Sequence, residues 1–118
     1  MNIYSEIILD HYQNPRNFGT IKNPSKKTVI FNPSCGDRIE LDIIFSKDKI
    51  KEIKFRGEGC AISLASASIL TGYTLHKAKD ELKKLDKDSM IKLLGIELGP
   101  NRIKCALLSL EALSKLLI

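Results

Sequence analysis

The chain has 118 residues, 43% hydrophobic and 28% charged, with 19 basic against 14 acidic side chains for a formal net charge of +5. That length fits one domain, residues 1–118, large enough to bury a core without staples, and no apolar run nears the roughly 20 residues a membrane span needs. The lysines are interspersed with acids, as in KAKDELKKLDKD, and seven aromatics with no Trp form no RNP, KH or zinc-finger pattern, so nucleic acid and membrane are not expected partners.

The first residues, MNIYSEIILD, carry no basic leader and do not form a signal peptide, so a cytoplasmic location is expected. Ile3, Ile7, Ile8 and Tyr12 fall at helical spacing over 2–13, with Asn2 as a candidate N-cap. Pro15 and Gly19 in QNPRNFG end that helix. Three strand-like runs follow, at 27–32, 38–45 and 49–57. In the second, Ile39, Leu41 and Ile43 oppose Glu40 and Asp42; in the third the alternation is less clean, but Ile53 and Phe55 share a face. Turn-length connections predict an antiparallel meander. After Gly59 the pattern becomes helical. Residues 60–74 carry Ile62, Ile69 and Tyr73 as an apolar stripe, with Ala61, Ala65, Ser66, Ala67 and Ser68 keeping the helix slim. Leu82 and Leu85 mark a segment over 76–85, a short amphipathic helix over 87–94 stops at Gly95, and a last helix runs from an Asn101 N-cap to the C-terminus. Strands first and helices afterwards give an α+β fold, a three-stranded antiparallel sheet with helices on one face.

The three cysteines lie at the ends of these elements. Cys35 falls in the turn NPSCGD, where Gly36 lets Cys35 and Asp37 aim at one point. Cys60 stands where the last strand meets a helix, directly after a Gly-x-Gly step that reads as a hinge. Cys105 is placed in the first turn or so of the final helix, beside Arg102 and Lys104. A helix start favours thiolate, which is both a metal ligand and a sulfur nucleophile. An odd count in a reducing compartment argues against a disulfide framework. Buried cysteine is often a small inert hydrophobe, but three cysteines flanked by glycine, aspartate or basic residues, none on an apolar stripe, point instead to a metal or sulfur site. Three thiolates and one Asp oxygen make a four-coordinate shell of the kind that selects Zn or iron–sulfur clusters. His11, near the end of the first helix, is read as a packing or capping residue and His76 as solvated. GEGCA lacks the Gly-Lys-Ser/Thr of a phosphate loop.

HYQNPRNFG (11–19), NPSCGD (32–37), GEGCAISLASAS (57–68) and RIKCALLSLEAL (102–113), in that order, resemble the NifU-like scaffold family of iron–sulfur assembly, which includes IscU and SufU. The resemblance spans almost the whole chain and implies a SufE/NifU-like fold. It also implies that Cys35, Asp37, Cys60 and Cys105 are the metal or cluster ligands. Glu58 between the glycines, the cysteine after the second glycine, and Lys104 before the last cysteine resemble the SufU branch. The interval 61–104 is compact and resembles IscU in length.

On the SufU resemblance, the chain is a zinc-binding acceptor of persulfide sulfur from a PLP-dependent cysteine desulfurase of the SufS/IscS type. A partner histidine then displaces one ligand, Cys35 is the candidate acceptor, and a downstream iron–sulfur carrier or apo-protein is the recipient. Such a chain is a sulfur-transfer acceptor and not a free-standing catalyst. On the IscU resemblance, the same four residues hold a [2Fe–2S] cluster, and Asp37 is the harder, weaker ligand suited to a cluster that must leave. A third reading is a structural zinc docking module, which an Asp ligand disfavours.

Overall fold

In the structure, a computed structural model, residues 6–33 and 36–118 are described. The elements run α1 (Glu6–Gln13), β1 (Lys26–Asn32), β2 (Asp37–Ser46), β3 (Lys49–Glu58), α2 (Ala61–Thr74), α3 (Lys79–Leu82), α4 (Lys87–Leu94) and α5 (Pro100–Leu116). The candidate cap Asn2 and the apolar Ile3 lie outside the described residues.

The three strands form one antiparallel sheet in the order β1-β2-β3. Ile39, Leu41 and Ile43 of β2 pair with Gly57, Phe55 and Ile53 of β3, and all but the glycine are core side chains. The uneven alternation in β3 has a local cause. Ile44 pairs with Glu52 and Phe45 with Ile50, so Lys51 is an extra residue in β3. This bulge moves Ile50 onto the same buried face as Ile53 and Phe55. A one-residue insertion cannot be read from a period of two.

Helices α2 and α5 cover the buried face, with α5 against β1 and β2 and α2 against β3. Helix α2 also packs on α1 and α5, so it is enclosed on several sides. That is why its small residues Ser63, Ala65, Ser66, Ala67 and Ser68 are all buried, beside Ile62 and Leu70. The free edge of β3 is covered. Gly19 N–H donates to Phe55 O and Phe55 N–H donates to Asn17 O, both at 2.8 Å. The chain then passes to the sheet face away from the helices, where Ile21 N–H and the Arg56 guanidinium both donate to the buried Asp42 carboxylate.

Two boundaries differ from the sequence expectation. The 76–85 segment contains only a four-residue helix, α3, because Lys77 and His76 pair with Ile50 as an added edge to β3. Helix α5 starts two residues earlier than an Asn101 N-cap would place it: Gly99 is the N-cap and Pro100 the first helical residue. Cys105 therefore belongs to the second turn of α5.

Candidate metal centre

The sheet's buried row of side chains ends in a charge. Asp37 precedes Ile39, Leu41 and Ile43 at strand period and faces the same way, so its carboxylate is only 2% exposed. Gly36, at φ 74°, supplies the left-handed conformation that turns the chain into β2, and its N–H donates to Asn32 O at 2.9 Å.

A buried carboxylate is costly unless donors surround it. Two come from the start of α2. Cys60 is the N-cap of that helix, and its backbone N–H donates to Asp37 Oδ1 at 3.1 Å. One helical turn later, Ser63 Oγ donates to Asp37 Oδ2 at 2.5 Å. Cys60 Sγ stands 4.0 Å from the same Oδ2 and 3.5 Å from Ser63 Oγ. Helix α5 brings the third group: Cys105 is buried, with its Sγ 3.8 Å from the carbonyl of Asn101 in the preceding turn.

One ligand atom each from Asp37, Cys60 and Cys105 can be chosen so that all lie within 4.8 Å of one another. Three residues distant in sequence thus converge where β2 starts, α2 starts and α5 passes. Donors of a tetrahedral zinc shell, bound at about 2.0–2.3 Å, stand roughly 3.5 Å apart, so small side-chain movements bring this set to metal distance. Two soft sulfurs and one carboxylate oxygen suit zinc or iron–sulfur chemistry better than magnesium or calcium. Cys60 is exposed while Asp37 and Cys105 are buried, so the cluster opens to solvent at one sulfur. Cys35, the fourth residue expected here, lies outside the described residues.

The Gly-x-Gly step works by clearance. Neither glycine has a positive φ. A Cβ at Gly57 would fall 2.0 Å from the Arg38 carbonyl oxygen, and one at Gly59 would fall 2.5 Å from Asp37 Oδ1. Gly57 lets β3 close on β2, and Gly59 makes room for the carboxylate beside Cys60. The hinge expectation is therefore replaced by a steric one. Ser63 is the residue that sequence reasoning misses. Its spacing of three from Cys60 is the available signal, hidden because small residues on α2 also read as packing spacers.

The two histidines stand apart from this cluster. His11 Nδ1 is 2.7 Å from Ser68 Oγ, which also accepts from Arg16 N–H at 2.8 Å. Burial, and then the nearby Arg16 charge, hold the His11 pKa below its ordinary value. It is a packing residue, as expected. His76 is exposed at the end of α2 and bonds through its backbone to Ile50. No helix among the described residues is long and apolar enough to cross a membrane.

The NifU-like N terminal domain family matches residues 3–117. The chain is 39% identical to the zinc-dependent sulfurtransferase SufU of Bacillus subtilis, an alignment covering 96% of this chain and 88% of that protein. It is 33% identical to an iron–sulfur cluster assembly scaffold protein IscU of Archaeoglobus fulgidus, over 98% of this chain and 75% of the relative. Among solved structures, a candidate iron–sulfur cluster assembly scaffold protein for the SUF system from Fervidobacterium islandicum superposes with a TM-score of 0.85 at 33% identity, covering 98% and 97% of the two chains. The first alignment runs over 130 positions, more than the 118 residues here, whereas the second runs over 116, so the B. subtilis protein carries residues within the matched region that this chain lacks. The fold, the ordered motifs and these likenesses agree: the chain belongs to the NifU-like N-terminal domain family.

Proposed function

We propose that this chain acts in iron–sulfur cluster assembly as a zinc-binding acceptor of persulfide sulfur, with Cys35, Asp37, Cys60 and Cys105 as the metal ligands. The observation that carries the reading is the convergence of Asp37, Cys60 and Cys105 from three separate elements within 4.8 Å. Similarity to a zinc-dependent sulfurtransferase supports the choice of metal and chemistry. Zinc, when bound, would keep the cysteines as thiolates and offset their charge in a partly buried place.

The chain's own residues divide the work. Asp37 is tied by Cys60 N–H and Ser63 Oγ, and Cys105 is fixed within α5. Cys35, two residues before Asp37 in sequence, is the acceptor: the SufU resemblance and its place in the NPSCGD motif between two strand-forming runs support that choice. Its thiolate attacks the terminal sulfur of a persulfide on the partner desulfurase. A sulfur–sulfur bond forms to Cys35, the partner's sulfur–sulfur bond breaks, and the partner cysteine leaves as thiolate. The terminal sulfur keeps its proton, and no external oxidant or reductant is consumed. The partner is a PLP-dependent cysteine desulfurase, and the recipient is an iron–sulfur carrier or apo-protein.

One observation favours a second reading, a scaffold for a [2Fe–2S] cluster. The chain matches the archaeal IscU without the length surplus seen against the B. subtilis sulfurtransferase. Persulfide labelling across Cys35→Ser, Cys60→Ser and Cys105→Ser tests the main reading. Loss of label in Cys35→Ser with a colourless, zinc-loaded wild type is expected. Undiminished labelling of Cys35→Ser would contradict the acceptor assignment, and persistent visible absorption after anaerobic reconstitution would favour the scaffold.

A further inference from the structure

Ser63 is fully buried at the start of α2, yet its hydroxyl is turned toward the metal centre and away from the helix backbone. A buried helical serine ordinarily satisfies itself on a carbonyl three or four residues back, as Thr71 and Thr74 do on Ser68 O and Thr71 O. Ser63 instead spends its only hydrogen on Asp37 Oδ2 at 2.5 Å, while its oxygen lies 3.5 Å from Cys60 Sγ. Two of the three converging residues thus meet one hydroxyl.

We infer that Ser63 is a positioning residue for the metal, one that holds the Asp37 carboxylate in the orientation needed to ligate and sets the distance between Asp37 and Cys60. The inference rests on the metal reading above. Asp37 has two torsions to fix. Cys60 N–H holds Oδ1 from the helix end and Ser63 holds Oδ2 from the helix face, so one rigid element grips both carboxylate oxygens. With Ser63 removed, this helix holds Oδ1 alone and no longer grips Oδ2. Groups that orient a ligating carboxylate or histidine from behind are commonly worth roughly 10–100-fold in metal affinity. The same geometry makes Ser63 act through Asp37 and not by touching the metal.

A double-mutant cycle separates that role from simple packing. Zinc affinity is measured by competition with a chromophoric chelator for wild type, Ser63→Ala, Asp37→Ala and the double variant, and melting of each metal-free form is followed by circular dichroism. Ser63→Ala is expected to weaken zinc binding about tenfold in the wild-type background and by less than twofold when Asp37 is already absent. Cobalt substitution supplies a second readout: a changed visible spectrum in Ser63→Ala, unchanged by the same substitution in Asp37→Ala. Zinc affinity within twofold of wild type in Ser63→Ala would overturn the inference while leaving the metal reading intact. An equal loss in both backgrounds, or a loss matched by a lower metal-free melting temperature, would reduce Ser63 to a packing residue. Failure of the wild-type chain to compete for zinc at all would overturn the metal reading and this inference with it.

Discussion

A buried aspartate with two donors, set beside two cysteines, depends on space that a single methyl group would remove. Gly59 supplies it. An alanine Cβ there would lie 2.5 Å from Asp37 Oδ1 and 2.8 Å from its carboxyl carbon, too close for any real contact. Gly59→Ala is therefore expected to push the carboxylate off the Cys60 N–H, costing about 1–3 kcal/mol in stability and weakening zinc binding in the same variant. Gly72, exposed on α2 with nothing near its Cβ position, is the matched comparison: Gly72→Ala should leave zinc binding unchanged and raise stability by up to about 1 kcal/mol. Urea titration and chelator competition on both variants check the contrast, and equal behaviour of the two would refute the clearance argument. At this scale the sequence was partly legible. Cysteines placed at element ends and the ordered motifs pointed to Asp37, Cys60 and Cys105. The function of the glycines did not show, because a glycine needed for flexibility and one needed for clearance are the same letter. Ser63 was hidden for a similar reason, since a serine that spaces two helices and one that orients a carboxylate differ only in where the hydroxyl points.

Among the elements, α1 carries a histidine whose titration bears on its packing. It joins α2 through the His11–Ser68–Arg16 contact, and Arg16 also pairs with Asp10 at 2.6 Å. Burial first, then Arg16, lowers the His11 pKa from its ordinary 6.5. Protons therefore bind the unfolded chain more readily than the folded one as pH falls from above 6.5. The contribution of this contact is present above that pH and is lost as pH drops through 6.5 toward the lower folded value. Melting temperature should fall across that window in the wild type, and His11→Ala should flatten the fall; an unchanged slope in the variant would contradict it. Periodicity located α2 and α4 to within a residue, since apolar spacing and Gly95 at φ 69° are local signals. It overextended α3, since His76 and Lys77 before it are drawn into an edge contact with β3, and it placed β3 to within a residue but set Ile50 on the face opposite Ile53 and Phe55, because the bulge at Lys51 depends on how two strands pair. Both errors arise from long-range contacts that no local window contains.

For the whole molecule, the fold brings three chain positions, 37, 60 and 105, to one point from a strand start, a helix start and the second turn of another helix. Zinc X-ray absorption on the purified, metal-loaded chain measures that claim directly. Three sulfur neighbours at about 2.3 Å and one oxygen at about 2.0 Å are expected. One sulfur should be lost from the shell in Cys60→Ser and one in Cys105→Ser, each with the fold retained. A shell of nitrogen and oxygen only, or a sulfur count unchanged by both substitutions, would contradict the site.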